Sequence, residues 1–243
     1  MIDPSETPES APQAPKHWAD NFVAFDTETT GFSNKARVIE VAVVRFEHGK
    51  PTQTYATLIN PGDDLDWQSS ETIGALKINN LSREQLEGQP PFEDIFAQLM
   101  LQFAAAPVWV AHNKSFDLRM LRQEREFITA KYQREYSVMV PKPKAVLDTM
   151  LIDVGLDARP TSSRKLEQVA SRWLIRNEDE QNLHRAQADT ELCGRVLLAM
   201  LKCPELSNLS LAQVIEFHKE ADKAWSGMRA QAYAQAKNRN RRS

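Results

Sequence analysis

The chain has 243 residues, 42% of them hydrophobic, and a formal net charge of -3. That is enough for one sizeable core, and the slight negative balance excludes wholesale electrostatic coating of nucleic acid while leaving room for a local basic groove. Cys193 and Cys203 are too few for a structural zinc centre and read as reduced thiols; with no apolar signal core and no run of membrane-spanning length, a cytoplasmic protein without a membrane partner is expected.

Residues 1–20 hold four prolines and few large apolar groups, so a disordered leader is expected, with Trp18 docking at the edge of the domain that follows. In FVAFDTETTG (22–31), the apolar run Phe22–Phe25 fits a central strand. Period-two alternation then puts Asp26 and Glu28 on one face and Thr27 on the other. Two carboxylates so close repel each other, and the pair makes best sense with a cation between them; the plainer alternative is a polar strand end running into a turn. Gly31 is free to turn the chain with φ > 0.

RVIEVAVVRF (37–46) reads as a second strand, apolar on both faces apart from Glu40, and His48-Gly49-Lys50 as a hairpin turn into a more polar third strand, TQTYATLI (52–59), nearer the edge. Helical pieces follow around Glu71–Ile78 and from Ser82, where SREQ has the capping-box pattern. Phe92, Ile95, Phe96, Leu99, Met100 and Phe103 recur at helical spacing and make a core-facing stripe. PVWVAHN is a fourth strand, SFDLRMLRQEREFI a helix with Ser115 as N-cap, 131–144 a basic and partly ordered segment, and AVLDTM a fifth strand. SSRKLEQVASRWLI predicts a helix burying Leu166, Val169, Ala170, Trp173 and Leu174; further helices run from Ala186 to Met200 and from near Ser210, the last absorbing QVIEF (213–217) as helix surface. With neither GxGxxG nor a Walker lysine, the order of elements describes one α/β domain over 21–203, a mixed sheet covered by helices, and a helical extension over 204–243 that ends in the basic tail KNRNRRS.

Asp117 falls in the first turn of the helix after the fourth strand, His184 just before another helix and Asp189 inside it. Strand ends and helix starts are where a sheet protein gathers side chains from distant sequence. Taken singly, Asp117 and Asp189 also fit favourable first-turn acids and His184 a capping residue. Asp148 and Asp153 are further candidates, Asp148 reading better as a strand-end acid that bonds backbone amides.

Together these segments resemble the DEDD exonuclease superfamily, histidine subclass, to which the proofreading subunit of bacterial DNA polymerase III belongs. FDTETTG carries Asp26 and Glu28; HNKSFDLRML carries Asp117 with Asn113 and Phe116; HRAQADT carries His184 and Asp189 at the histidine-subclass spacing. The resemblance spans about residues 20–201. It implies an RNase H-like fold with a mixed five-stranded sheet, the second strand antiparallel to its neighbours.

It also implies a metal-dependent 3′–5′ exonuclease that releases nucleoside 5′-monophosphates, single-stranded DNA being preferred, with a DNA polymerase catalytic subunit as the implied protein partner. The rival readings are an RNA-trimming exoribonuclease and a non-catalytic module that binds nucleic acid or a polymerase. Phosphodiester hydrolysis needs charge neutralisation and an activated water, which two Mg²⁺ ions about 4 Å apart can supply, Mn²⁺ substituting. Asp26 is the natural bridge, Glu28 and Asp189 complete one ion's site, Asp117 holds the second ion largely through water, and neutral His184 takes the water's proton. Thr27 and Glu28 are expected to hold the terminal nucleotide beside Asn113, with Phe32 and Phe116 as stacking groups and Lys114 and Arg119 near phosphates. Family members often have a glycine after the KLEQVA-like helix; Trp173-Leu174-Ile175 stands here instead, which leaves that turn open.

Overall fold

Strands β1 (Asn21–Thr29), β2 (Val38–Glu47) and β3 (Lys50–Leu58) form the antiparallel meander, and β4 (Val108–Ala111) and β5 (Ala145–Asp148) extend it in parallel, giving the order β3-β2-β1-β4-β5. The computed structural model describes residues 18–132, 139–157, 159, 163–176 and 185–240. The hairpin between β2 and β3 turns on His48 and Gly49, at φ 50° and 77°, the two positive values that match the twist of the flanking strands. The polar β3 is an edge strand, as its composition requires.

Helices α1 (Ser70–Ile78), α2 (Arg83–Glu87), α3 (Phe92–Ala104) and α4 (Lys114–Tyr132) precede β5; α5 (Thr149–Leu156), α6 (Leu166–Arg172), α7 (Ala186–Met200), α8 (Pro204–Ser207) and α9 (Leu211–Asn240) follow it. The alternation of β1 decides which helices cover which face. Val23 and Phe25 pack with Phe92, Phe96 and Phe103 of α3 and Met120 of α4. Phe22 and Ala24 pack on the other side with Leu192, Val196 and Met200 of α7. Continuing the alternation, Asp26 and Glu28 lie toward α7 and Thr27 toward α4. Gly194 lets α7 lie low on the sheet: a Cβ there would stand 2.2 Å from the ring of Phe46, which stacks on Phe22 with centroids 4.8 Å apart.

Four local expectations are corrected. The fifth strand ends at Asp148, and Thr149 and Met150 begin α5. The Asp148 side chain accepts from the Met150 amide at 2.9 Å and caps that helix. The apolar run after it suits a buried strand or a buried helix equally. Ser115 lies inside α4, not at its cap; the amides of Asn113 and Lys114 go to the Asp148 carboxylate instead, both at 2.9 Å. Leu174, expected in the core, is 89% exposed. It closes α6 in a Schellman turn, with φ 56°, its own amide on the Ser171 carbonyl at 3.2 Å and the Ile175 amide on the Ala170 carbonyl at 2.9 Å. QVIEF is not all surface either, since Val214 is fully buried in the second core.

Trp18 packs against the second core, as do Leu206 of α8 and Val214 of α9. Residues 1–17 of the leader expected over 1–20, residues 133–138 of the basic segment, His184 and the tail residues 241–243 lie outside the described residues, while residues 18–20 form a turn into β1. Among the described residues no helix is long and apolar enough to cross a membrane.

The Leu174 turn yields a stability prediction. An L-residue in the left-handed region is disfavoured by about 1–2 kcal/mol, against about 0.5–1 for the extra freedom of an unfolded glycine. Because the Leu174 side chain is exposed, little burial is lost on replacing it. Leu174→Gly should therefore stabilise the fold by about 0.5–1 kcal/mol, a rise of about 1–4 °C in thermal midpoint. A lower midpoint in calorimetry would contradict this account.

Candidate active site

Asp26 and Glu28 at the end of β1 meet Asp189 from the first turn of α7; one carboxylate oxygen from each lies within 4.8 Å of the others, and all three are partly accessible. Asp117 arrives from the other side of the strand, on α4, and is 2% exposed. One of its oxygens accepts from the Thr27 amide at 3.0 Å and from the Thr27 hydroxyl at 2.7 Å. The four acids named from sequence are thus gathered at one strand end, three in mutual reach and the fourth seated against Thr27.

Their electrostatics follow from burial and crowding. Burial first, then the charges of Asp117, Glu28 and Asp189, raise Asp26 well above the carboxylate range. Glu28 is pushed up to about 8 by burial and by Asp189 and Glu40. Burial pushes Asp117 up to about 7, against the opposing hydrogen bonds of Thr27. Acids so placed shed charge by holding protons or by taking up a cation. Carboxylate oxygens as the donor set fit a hard divalent ion, so this strand end can hold such a metal.

The surrounding loops are tied down from outside the cluster. Gly31, at φ 152°, leaves room for Glu71, whose side chain would lie 2.3 Å from a Cβ. The same carboxylate accepts from the amides of Phe32 at 2.6 Å and Ser33 at 2.9 Å, and these bonds hold it below its usual range. Arg37 forks onto Glu124 of α4, its Nη2 at 2.8 Å, and Glu124 also accepts from the Val38 amide at 2.8 Å. Phe32 is 78% exposed, so it is not core; its ring lies 5.6 Å from that of Phe116, over which Arg119 stands at 5.1 Å. Asn113 is exposed at φ 67°.

Other expected residues have structural partners. Lys114 donates to the Val146 carbonyl at 2.7 Å, and burial lowers its pKa. Thr27 commits both its amide and its hydroxyl to Asp117. Asp148 bonds backbone amides, in line with its sequence reading. Asp153 is not with the cluster: it is buried against Arg164, Arg172 and the Trp173 indole, which donates at 3.0 Å. Sequence reasoning passed over Arg185, which forks onto Glu40. A charged residue in an otherwise apolar central strand was the available signal, because a buried carboxylate requires a partner.

Comparisons with known proteins identify the family and the fold. A family model described as Exonuclease (RNase_T) matches residues 23–197. DNA polymerase III subunit epsilon of Buchnera aphidicola is 28% identical over 185 residues, covering 73% of this chain and 71% of that one. A PolC-type DNA polymerase III of Lacticaseibacillus paracasei is 30% identical over 182 residues, covering 74% of this chain but only 11% of the relative. The nuclease domain of 3′hExo, a DEDDh family member bound to rAMP, superposes with a TM-score of 0.59 at 14% identity, covering 78% of this chain and 94% of that one. At that identity it supports the five-stranded fold.

The crowded acids make a signed prediction for stability in EDTA. Groups whose folded pKa is raised contribute stability that is complete below the ordinary carboxylate range and is lost as pH climbs through the folded values of about 7 and about 8. The thermal midpoint should therefore fall between about pH 5 and about pH 8.5, and Asp26→Asn should flatten the fall. Saturating Mg²⁺ should raise the midpoint most at the alkaline end, where the acids are ionised. A midpoint in EDTA that rises over this range would contradict the assignment.

Proposed function

The chain belongs to the exonuclease family, and we propose that it is a 3′–5′ exonuclease that trims single-stranded DNA 3′ ends to nucleoside 5′-monophosphates with two Mg²⁺ ions, Mn²⁺ substituting. The observation that carries this reading is the convergence of Asp26, Glu28 and Asp189 within 4.8 Å at one strand end. Bound ions would neutralise charge on the scissile phosphate and leaving oxygen and lower the pKa of water.

In this reading Asp26 would serve both ions, Glu28 and Asp189 would complete the ligand set of one, and Asp117 would serve the other less directly. The hydrogen bonds from Thr27 that fix the Asp117 carboxylate support that less direct role. His184, which directly precedes Arg185, accepts the proton of the attacking water as a neutral imidazole. The exposed Phe32, leaning on Phe116 and Arg119, offers a face on which a terminal base stacks. With the Thr27 donors committed to Asp117, Glu28 and Asn113 remain to hold the terminal sugar. DNA is favoured by the likeness to a DNA polymerase III subunit, which also supports a polymerase catalytic subunit as partner. The free thiols of Cys193 and Cys203 support a cytoplasmic setting.

A time course on 3′-labelled and 5′-labelled single-stranded DNA and matched RNA, with Mg²⁺ or EDTA, tests polarity, sugar preference and metal need together. Asp26→Ala should abolish turnover while the protein stays folded, and His184→Ala should slow the single-turnover rate by about 10²–10⁴-fold. Release of label from the 5′ end first, or full activity in EDTA, would refute the reading.

The division into a nuclease domain over 21–203 and an extension over 204–243 is part of the same proposal, with the tail from Lys237 adding non-specific affinity. Deleting residues 237–243 should flatten the salt dependence of DNA binding and leave the saturated rate unchanged. An unchanged salt slope would show the tail to be idle.

A further inference from the structure

Glu40 lies next to the cluster without joining it. It stands directly across from Glu28 in the β1–β2 register, so the two side chains share a face of the sheet. Its side chain is 3% exposed, and its presence raises both Asp26 and Glu28. Yet its two oxygens turn to Arg185, whose Nε donates at 3.2 and 3.1 Å and whose Nη2 donates at 3.1 Å.

Arg185 sits at a mechanically sensitive place. It is the cap residue of α7, and its carbonyl accepts from the Asp189 amide at 3.1 Å, closing the first turn of that helix. Its side chain therefore grips β2 while its backbone opens the turn that carries Asp189. The bond joins residues 145 positions apart. A planar fork on a buried carboxylate fixes distance and orientation together, which a single point charge does not.

We propose that Arg185 is a positioning residue for the reaction: the Glu40–Arg185 pair latches the start of α7, and with it Asp189, onto β2 beside the strand that bears Asp26 and Glu28. The inference rests on the exonuclease reading above. It assigns Glu40 to the latch, outside the metal ligands.

Electrostatics alone and positioning predict opposite signs, which makes the proposal testable without turnover. Removing a guanidinium leaves the acids more negative, so a mere counter-charge would, once lost, leave Mg²⁺ binding tighter. A lost latch weakens it, because Asp189 no longer converges; residues that orient metal ligands typically matter by about 10–100-fold. The experiment is calorimetric titration of the full chain with Mg²⁺ alone, in wild type, Arg185→Met, Arg185→Lys and the double variant Glu40→Gln/Arg185→Met, followed by kcat and KM on single-stranded DNA.

Arg185→Met should weaken Mg²⁺ binding about 10-fold and lower kcat with little change in KM. Arg185→Lys should recover part of both, since an ammonium reaches one oxygen of Glu40 without forking. The double variant removes opposite charges together and strands no buried carboxylate, so it keeps the test open should Arg185→Met fail to fold. It too should bind Mg²⁺ about 10-fold more weakly. Mg²⁺ affinity unchanged or tighter in the double variant overturns the latch. A wild type that takes no Mg²⁺ and releases no nucleotide overturns the exonuclease reading itself, and the latch with it.

Discussion

The constraint on which this structure turns is the confinement of like charges at the end of β1. Asp26, Glu28 and Asp189 are held within 4.8 Å of one another, with Asp117 and Glu40 beside them. No interaction among the acids favours that arrangement; the fold imposes it from both sides. The packing of Phe22 and Ala24 under α7 and of Val23 and Phe25 under α3 and α4 locks the pleat of β1, and the pleat aims its acids. Ions at this strand end would relieve the repulsion, so the energy stored in the folded site becomes affinity for metal.

The periphery is organised to spare those acids from structural duty. Glu71 fastens the turn after β1, Glu124 fastens Arg37, Asp148 caps two helices, and Asp153 holds Arg164 and Arg172. Each of these carboxylates has cations or amides of its own. At the end of β1, Asp26 and Glu28 are crowded by further carboxylates instead, and that crowding marks the site more clearly than acidity itself.

Much of this was legible in the sequence. The strand alternation at Asp26 and Glu28, the capping box at Ser82 and the stripe on α3 are local patterns, and each appears where its period places it. Three ordered motifs made the family readable. What escaped were features set by the surroundings. The start of α5 depends on a side-chain cap that a run of apolar residues does not reveal. Leu174 is exposed because the helix needs a left-handed residue there, whatever its hydrophobicity. Glu40 looked like an exception in an apolar strand because its partner lies far along the chain.

The two sides of the cluster come from opposite ends of the domain: β1 is made first, whereas α7, with Asp189, follows all five strands. A ribosome-bound chain that has released only its sheet has the acids of β1 but not their completion. Convergence of the cluster thus waits on α7, and a chain still short of that helix carries the acids of β1 without the carboxylate that completes their site.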